Sequence, residues 1–280
     1  MNSPLASPSA TIALLRHYGL ATKKRLGQHF LIDDAIVGKI LRLADPAPDD
    51  VILEIGPGIG TLTLALLATR STSSALIAIE KDPALVTVLN ETLSEYVHSG
   101  ALTILEADAL NLQPELLPTA PTSLIANLPY QVAATVTLDA FQRLTTLQSA
   151  TVMVQHEVAC RMAANPGTKD YGAYTVKLRL LARPAGNFAV SRRSFLPPPR
   201  VDSRVIRLQR QPVMDALTYE KVTSLVDRAF ASRRKTMRNN LRAVWDEAQV
   251  EVALAQAGIE ASVRAEILKP EDFIHLSELL

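Results

Sequence analysis

The tetrapeptide Asn127-Leu128-Pro129-Tyr130 brings together a side-chain amide, a main-chain carbonyl, a rigid ring and an aromatic face. That combination fits methylation of an aromatic exocyclic amine. Such an amine is a weak nucleophile because its lone pair is delocalised into the ring. Acceptors aimed at its two hydrogens favour a pyramidal nitrogen and localise the lone pair. The Asn127 side-chain oxygen and the Leu128 carbonyl can be those acceptors. Pro129 stiffens the loop, and Tyr130 offers a ring on which a base stacks. No dedicated general base is required, because the amine becomes strongly acidic as the methyl arrives and water can take the proton.

A second group of residues suits a nucleoside-type ligand. Glu54-Ile55-Gly56-Pro57-Gly58-Ile59-Gly60 holds three closely spaced glycines, which let a backbone turn tightly and approach a ligand. The dinucleotide pattern G-x-G-x-x-G counted from Gly56 demands glycine at position 61, where Thr61 stands. The third glycine comes one residue early, which disfavours a pyrophosphate-bearing cofactor. Glu80 follows 24 residues after Gly56 and can take both hydroxyls of a ribose. Asp108 can accept from an adenine amine. Read singly, any of these acids is a helix cap or a loop charge. Together, the glycine turn with Gly56 and Gly58, Glu80 and Asp108 resemble the S-adenosylmethionine site of Rossmann-like methyltransferases.

The elements that must position these groups follow from hydrophobic patterning. Short apolar runs at 51–55, 75–79, 102–105, 123–126 and 150–154 read as strands. Helical patterns at 60–69, 83–96 and 131–144 alternate with them. Such alternation with short connections predicts a parallel sheet covered on both faces. Each motif then falls at a strand's carboxyl end, where open α/β sheets bind ligands. Further on, 174–182 reads as helix, and 187–190 and 201–208 as extended, separated by Pro197-Pro198-Pro199. Beyond Asp215 only helical periods recur, at 219–230, 234–245, 247–256 and 270–280. We therefore expect a frayed N-terminal leader within 1–20, an α/β domain at 21–211 and a smaller all-helical domain at 212–280, with the boundary near Gln211-Pro212.

Composition narrows the class. The chain is 48% hydrophobic and 20% charged, ordinary values for a globular protein. One cysteine, Cys160, excludes an internal disulfide and a cysteine-based zinc site, and suits a reducing, cytoplasmic setting. The five histidines lack metal-ligand spacing, so no metal is expected, and no G-x-S-x-G is present. No apolar run reaches the roughly 18 residues of a membrane span. The net charge of +1 conceals an asymmetry. Residues 1–140 hold 8 basic and 14 acidic groups, whereas residues 190–242 hold 13 and 4. A polyanion approached through the C-terminal half is the natural partner, and a solvated basic surface is the plainer alternative.

With these residues in view, the sequence resembles the rRNA adenine N6-dimethyltransferases, most closely their small-subunit type, from about Lys23 to Leu241. Lys24-Arg25-Leu26-Gly27-Gln28-His29-Phe30-Leu31 is similar to the family's N-terminal cofactor motif, with His29 where the family usually has asparagine. Residues 127–130 match its catalytic tetrapeptide unchanged. By the same resemblance His29, Leu31, Gly56, Gly58, Glu80, Asp108 and Asn127 bind S-adenosylmethionine. The segments 154–159 and 169–172 are similar to substrate-side segments, with His156 where lysine is expected. Phe195-Leu196-Pro197-Pro198-Pro199 with Val201-Asp202-Ser203 also resembles the family, and Phe195 is either a ring that sandwiches the target adenine opposite Tyr130, as we expect, or a core aromatic beside a proline turn. Residues 233–241 resemble the basic stretch of the family's helical domain. Lys24, Arg25, Arg192, Arg193, Arg200, Arg233, Arg234, Lys235 and Arg238 are the expected RNA contacts.

The resemblance implies a monomer that extrudes two adjacent adenosines of the 3′-terminal hairpin of small-subunit (16S) rRNA. It would methylate each twice, within the immature small subunit. Three alternatives remain at this level. One is a resistance-type large-subunit methylase, whose tetrapeptide more often carries isoleucine at the place of Leu128. The others are a non-catalytic assembly factor and an NAD enzyme, the last opposed by Thr61.

Overall fold

The computed structural model describes residues 2–22, 27–69, 75–212 and 214–280. The elements run α1 (Pro8–His17), β1 (Phe30–Leu31), α2 (Asp34–Ala44), β2 (Ile52–Ile55), α3 (Thr61–Ala68), β3 (Leu76–Glu80), α4 (Pro83–Thr92), α5 (Ser94–His98) and β4 (Leu102–Glu106). They continue with β5 (Ser123–Asn127), α6 (Ala133–Arg143), β6 (Ser149–Gln155), α7 (His156–Ala163), α8 (Ala173–Arg179), β7 (Ala182–Val190), β8 (Phe195–Leu196) and β9 (Ser203–Arg210). The last four are α9 (Ala216–Ala229), α10 (Met237–Leu241), α11 (Glu247–Gln256) and α12 (Pro270–Leu279). Among the described residues no helix is long and apolar enough to cross a membrane.

Seven strands form one sheet in the order β4-β3-β2-β5-β6-β9-β7. Pairing is parallel from β4 through β6, and β9 runs antiparallel to β6. Every residue of β2 and β3 is buried, as their near-continuous apolar runs require of strands covered on both faces. The order reverses between β2 and β5, so a crevice opens above their carboxyl ends. Helix starts follow local chemistry. Asp82 caps α4 by accepting from Ala84 N, and Pro83 occupies the first turn where no amide hydrogen is missed.

The chain divides into two compact units. The first is Met1–Ala159 with Pro184–Arg210, and the second is Cys160–Arg183 with Gln211–Leu280. A single cut at 211/212 thus misses an excursion, because α8 and the second half of α7 belong with the C-terminal helices. Tyr171 is 1% exposed there, and its hydroxyl donates to the Leu268 carbonyl at 2.8 Å. Its ring is 6.3 Å from that of Phe230, which lies 5.9 Å from Phe273.

Other expectations change as well. The N-terminal residues are not frayed. The amides of Asn2 and Ser3 both donate to Asp34 Oδ1 at 2.8 Å, Ala6 and Thr11 are buried, and α1 follows at once. The carboxylate captures these amides because it stands at the first residue of α2. The helix expected over 83–96 breaks at Leu93, whose side chain turns into the core while its backbone leaves the helical region. The helix expected over 234–245 is a single short one, α10. The preceding turn is held by Asn240 Nδ2, which donates to Ala229 O at 2.6 Å and Ser232 O at 3.1 Å.

Candidate active site

The glycine turn leaves β2 with Gly56 at φ +71° and Gly58 at φ +62°, conformations that an L side chain adopts at a cost. Space is equally restricted. A Cβ on Gly56 would stand 3.4 Å from Pro129 Cδ, and one on Gly58 would stand 3.2 Å from the Phe30 ring. The turn is therefore packed against both the tetrapeptide and the N-terminal motif. A two-stranded ladder fixes that motif, pairing Phe30 with Leu196 and Leu31 with Phe195. Gln28 Nε2 donates to Asp82 Oδ2 at 2.8 Å and ties the motif to the β3–α4 turn.

These elements enclose one cavity. Gln28, His29, Leu31, Glu54, Gly56, Gly58, Glu80, Lys81, Asp108, Asn127, Leu128, Pro129 and Tyr130 all line it. Glu80 is 7% exposed. Its Oε1 accepts from the amides of Lys81 and Asp82 at 2.9 Å each, and its Oε2 from Gly58 at 3.2 Å. Burial raises its carboxyl above the usual range, while the three amides pull the other way. They hold the group rigid and leave lone pairs for ligand hydroxyls. Asp108 lies at the end of β4, caps the following turn through Leu110 N, and pairs with Lys81 Nζ at 2.6 Å. The Lys81 ammonium holds its carboxyl below the usual range.

The tetrapeptide continues directly from β5. Asn127 Nδ2 donates to the His29 carbonyl at 3.3 Å. Only the amide nitrogen can meet a carbonyl, so Oδ1 is left as the acceptor for an incoming amine. Leu128 N donates to Met153 O at 3.1 Å, and among the described residues no amide donates to the Leu128 carbonyl. Pro129 O closes the loop by accepting from Val132 N. The Tyr130 hydroxyl meets Ser203 Oγ at 2.5 Å, and its partly buried ring stacks on His29 with centroids 5.8 Å apart and planes at 26°. Burial raises the Tyr130 phenol above its usual value, so it stays neutral. His29 Nδ1 donates to the Pro197 carbonyl at 2.7 Å. His29 thus links the N-terminal motif to the proline turn.

The expected site residues divide into three sets. Those expected to bind cofactor, together with 127–130, come together in the cavity. Phe195 does not: it is 2% exposed, belongs to the apolar cluster with Leu31, Met153 and Val205, and is absent from the cavity wall. Its pairing with Leu31 draws it into the core, so it presents no face to a base here. The expected RNA contacts behave differently from one another. Arg192, Arg193 and Arg200 are exposed, and Arg192 and Arg200 flank a second groove bounded by Gln155, His156 and Asp202. In the second unit Arg234 and Lys235 are exposed. Arg233 instead donates to Lys169 O and Tyr171 O at 3.0 Å, and Arg238 pairs with Glu247 at 2.8 Å and Glu251 at 2.5 Å. These two guanidinium groups are engaged within the helical unit, which the charge run does not reveal. Lys24 and Arg25 lie outside the described residues. Sequence reasoning assigned no role to Glu54, Lys81 or Ser203. The fixed position of Glu54 ahead of the glycine turn was the available signal.

A switch-point pocket lined by a glycine turn, strand-end carboxylates and the Asn127–Tyr130 loop defines a Rossmann-like methyltransferase. The glycine cradle, the anchored Glu80 and the enclosed oxygen of Glu54, which has no partner among the described residues, fit the nucleoside and cationic parts of S-adenosylmethionine. Residues 19–280 match the family described as ribosomal RNA adenine dimethylase, and the chain belongs to it. It is 40% identical to a ribosomal RNA small subunit methyltransferase A of Rhodococcus erythropolis, over 99% of this chain and 97% of that one. It is also 40% identical to that of Thermobifida fusca, over 98% and 96%. Among solved structures it resembles a Plasmodium falciparum dimethyladenosine transferase (TM-score 0.70, 25% identity, covering 89% and 96%). It also resembles the 23S rRNA methyltransferase ErmE (TM-score 0.66, 29% identity, covering 90% and 99%).

Proposed function

We propose that this enzyme uses S-adenosylmethionine to dimethylate N6 of two adjacent adenosines in the 3′-terminal hairpin of small-subunit (16S) rRNA. It acts as a monomer, in the cytoplasm, on the immature small subunit. The family to which the chain belongs is described as ribosomal RNA adenine dimethylase, and relatives 40% identical over nearly the whole chain are named for the small subunit, which supports this reading. The observation that supports the reading is the pinned amide of Asn127, a residue of the cavity wall whose Nδ2 donates to the His29 carbonyl and so leaves Oδ1 as the acceptor of an unaltered Asn127–Tyr130 loop.

The chain's residues divide the work. Glu80 and Asp108 hold the ribose and base of the cofactor, and Gly56 and Gly58 let the backbone approach it. When bound, the cofactor supplies an electrophilic methyl group. Asn127 Oδ1 and the Leu128 carbonyl take the two N6 hydrogens and localise the lone pair as it attacks in line. Tyr130 stacks on the extruded base, held in place by Ser203 and His29. After transfer the acidified amine loses its proton to water. Arg192 and Arg200 beside the second groove, and Arg234 and Lys235 on the helical unit, attract the phosphate backbone.

The test is the distribution of labelled methyl among unmodified small subunits, large subunits and naked rRNAs. Label confined to two neighbouring adenosines near the small-subunit 3′ end is the expected result. Label only in large-subunit rRNA would move the enzyme to the resistance type. Cofactor binding without transfer to any substrate would favour an assembly factor.

A further inference from the structure

Two clefts of the first unit meet at one hydrogen bond. Tyr130 lines the cavity and Ser203 lines the second groove, and their hydroxyls are 2.5 Å apart. The groove holds about 820 Å³, room enough for a nucleotide, since ligand pockets run from roughly 300 to 1,000 Å³. Asp202 fastens its walls: Oδ1 accepts from Arg192 N at 2.9 Å, and the carbonyl accepts from His156 N at 3.0 Å. Its lining is mixed. Arg192 and Arg200 are exposed cations, but Glu157 and Asp202 line the same groove, and a track for phosphates alone would not carry these acids. Val201 leaves an apolar side chain 45% exposed beside Arg200. Gln155 pairs with Ser203 across the β6–β9 ladder, which puts their Cβ atoms on one face about 5 Å apart. Among the described residues no hydrogen bond engages the Gln155 side-chain amide.

Neighbouring nucleotides of an RNA strand are joined by a single phosphodiester. A base stacked on Tyr130 therefore delivers the next nucleotide to this groove. A glutamine amide reads adenine through two bonds, its oxygen accepting from N6–H and its nitrogen donating to N7. Guanine offers only acceptors on that edge and would set its O6 against the glutamine oxygen. We propose that the groove holds the adenosine next to the target, with Gln155 reading N6 and N7, Val201 packing on the base and the arginines taking its phosphate. The inference rests on reading the enzyme as an N6-methylase of two adjacent adenosines. It also sets an order. A neighbour that is already dimethylated has no N6 hydrogen left for Gln155 to accept, so the adenosine held in the groove is the one methylated second.

The test uses small subunits rebuilt with a synthetic 3′ RNA segment. One adenosine of the pair is replaced by purine riboside, which keeps N7 and lacks the amine, and transfer to the other is followed. In one of the two arrangements KM should rise about tenfold at unchanged kcat, the scale of losing a bidentate base contact away from the reacting nitrogen. N6,N6-dimethyladenosine at that same position should raise KM at least as much, and in the opposite arrangement neither replacement should matter. Gln155→Ala should raise KM by a similar factor on the natural RNA and lose no more with purine riboside. A merely structural role for Gln155 would leave the response to purine riboside intact. Equal KM for adenosine and purine riboside in both arrangements would overturn the inference while leaving N6 methylation standing. So would a Gln155→Ala variant that still discriminates between them. Absence of N6 methylation on every RNA would overturn the functional reading and the inference together.

Discussion

The 2.5 Å contact between the Tyr130 hydroxyl and Ser203 Oγ sets the angle of the ring on which we propose that the target base stacks. The two ends are buried to different degrees. Ser203 is 0% exposed, whereas Tyr130 is only partly covered. Tyr130→Phe keeps the aromatic face but strands a buried hydroxyl, which costs about 1–3 kcal/mol. Ser203→Ala strands a phenol that can turn to water, so about 0.5–1 kcal/mol is expected. The double variant removes both polar ends and should be less destabilised than the sum of the two by about 1 kcal/mol. Urea unfolding of the four proteins measures the coupling. Single-turnover methyl transfer should fall several-fold in Tyr130→Phe, with cofactor affinity unchanged, because the loosened ring positions the base less well. Additive stabilities within about 0.3 kcal/mol would refute the reasoning, since the hydroxyls would then not depend on one another.

Three further outcomes follow from the same geometry. Gly58→Ala introduces a Cβ at φ +62° against the Phe30 ring, so we expect a loss of about 1–2 kcal/mol in unfolding experiments and a cofactor affinity at least tenfold weaker by calorimetry. Glu54 is raised from 4.5 to about 8, so the folded state holds a proton that the unfolded state gives up between these values. Its stabilising effect is complete below pH 4.5 and lost as the pH rises to 8. Glu54→Gln should therefore unfold at higher urea than the parent at pH 7, by about 3 kcal/mol, with the advantage gone near pH 4. Arg234→Ala should lower the salt dependence of RNA binding by about one phosphate's worth of slope. Arg238→Ala, whose guanidinium is occupied by Glu247 and Glu251, should leave that slope unchanged and cost at most about 1 kcal/mol of stability.

The parallel strands were legible because each is a short apolar run that must be buried on both faces, and the acids at their ends were legible because sheet topology places them. Contacts made across the chain were not. The ladder of Phe30 and Leu31 with Leu196 and Phe195 involves two-residue strands with no periodicity, and it is this pairing that carries Phe195 into the core. Tyr130 and Ser203 are 73 residues apart, and nothing in either segment specifies the other. The docking of Asn2 and Ser3 on Asp34 likewise depends on tertiary approach. In residues 233–238 charge suggested one shared role. The structure separates them, because Arg233 caps carbonyls and Arg238 reaches acids on α11, whereas Arg234 and Lys235 face outward.

The most direct measurement is nucleoside analysis of unmodified small subunits after one round of reaction with S-adenosylmethionine, comparing the parent with Asn127→Ala. The parent should yield N6,N6-dimethyladenosine. Asn127→Ala should bind the cofactor within about tenfold of the parent yet transfer methyl some hundred- to thousand-fold more slowly, the scale of losing one preorganised acceptor at the reacting group. Parent-like transfer by Asn127→Ala, or methylation at any atom other than N6, would contradict the role assigned to this loop.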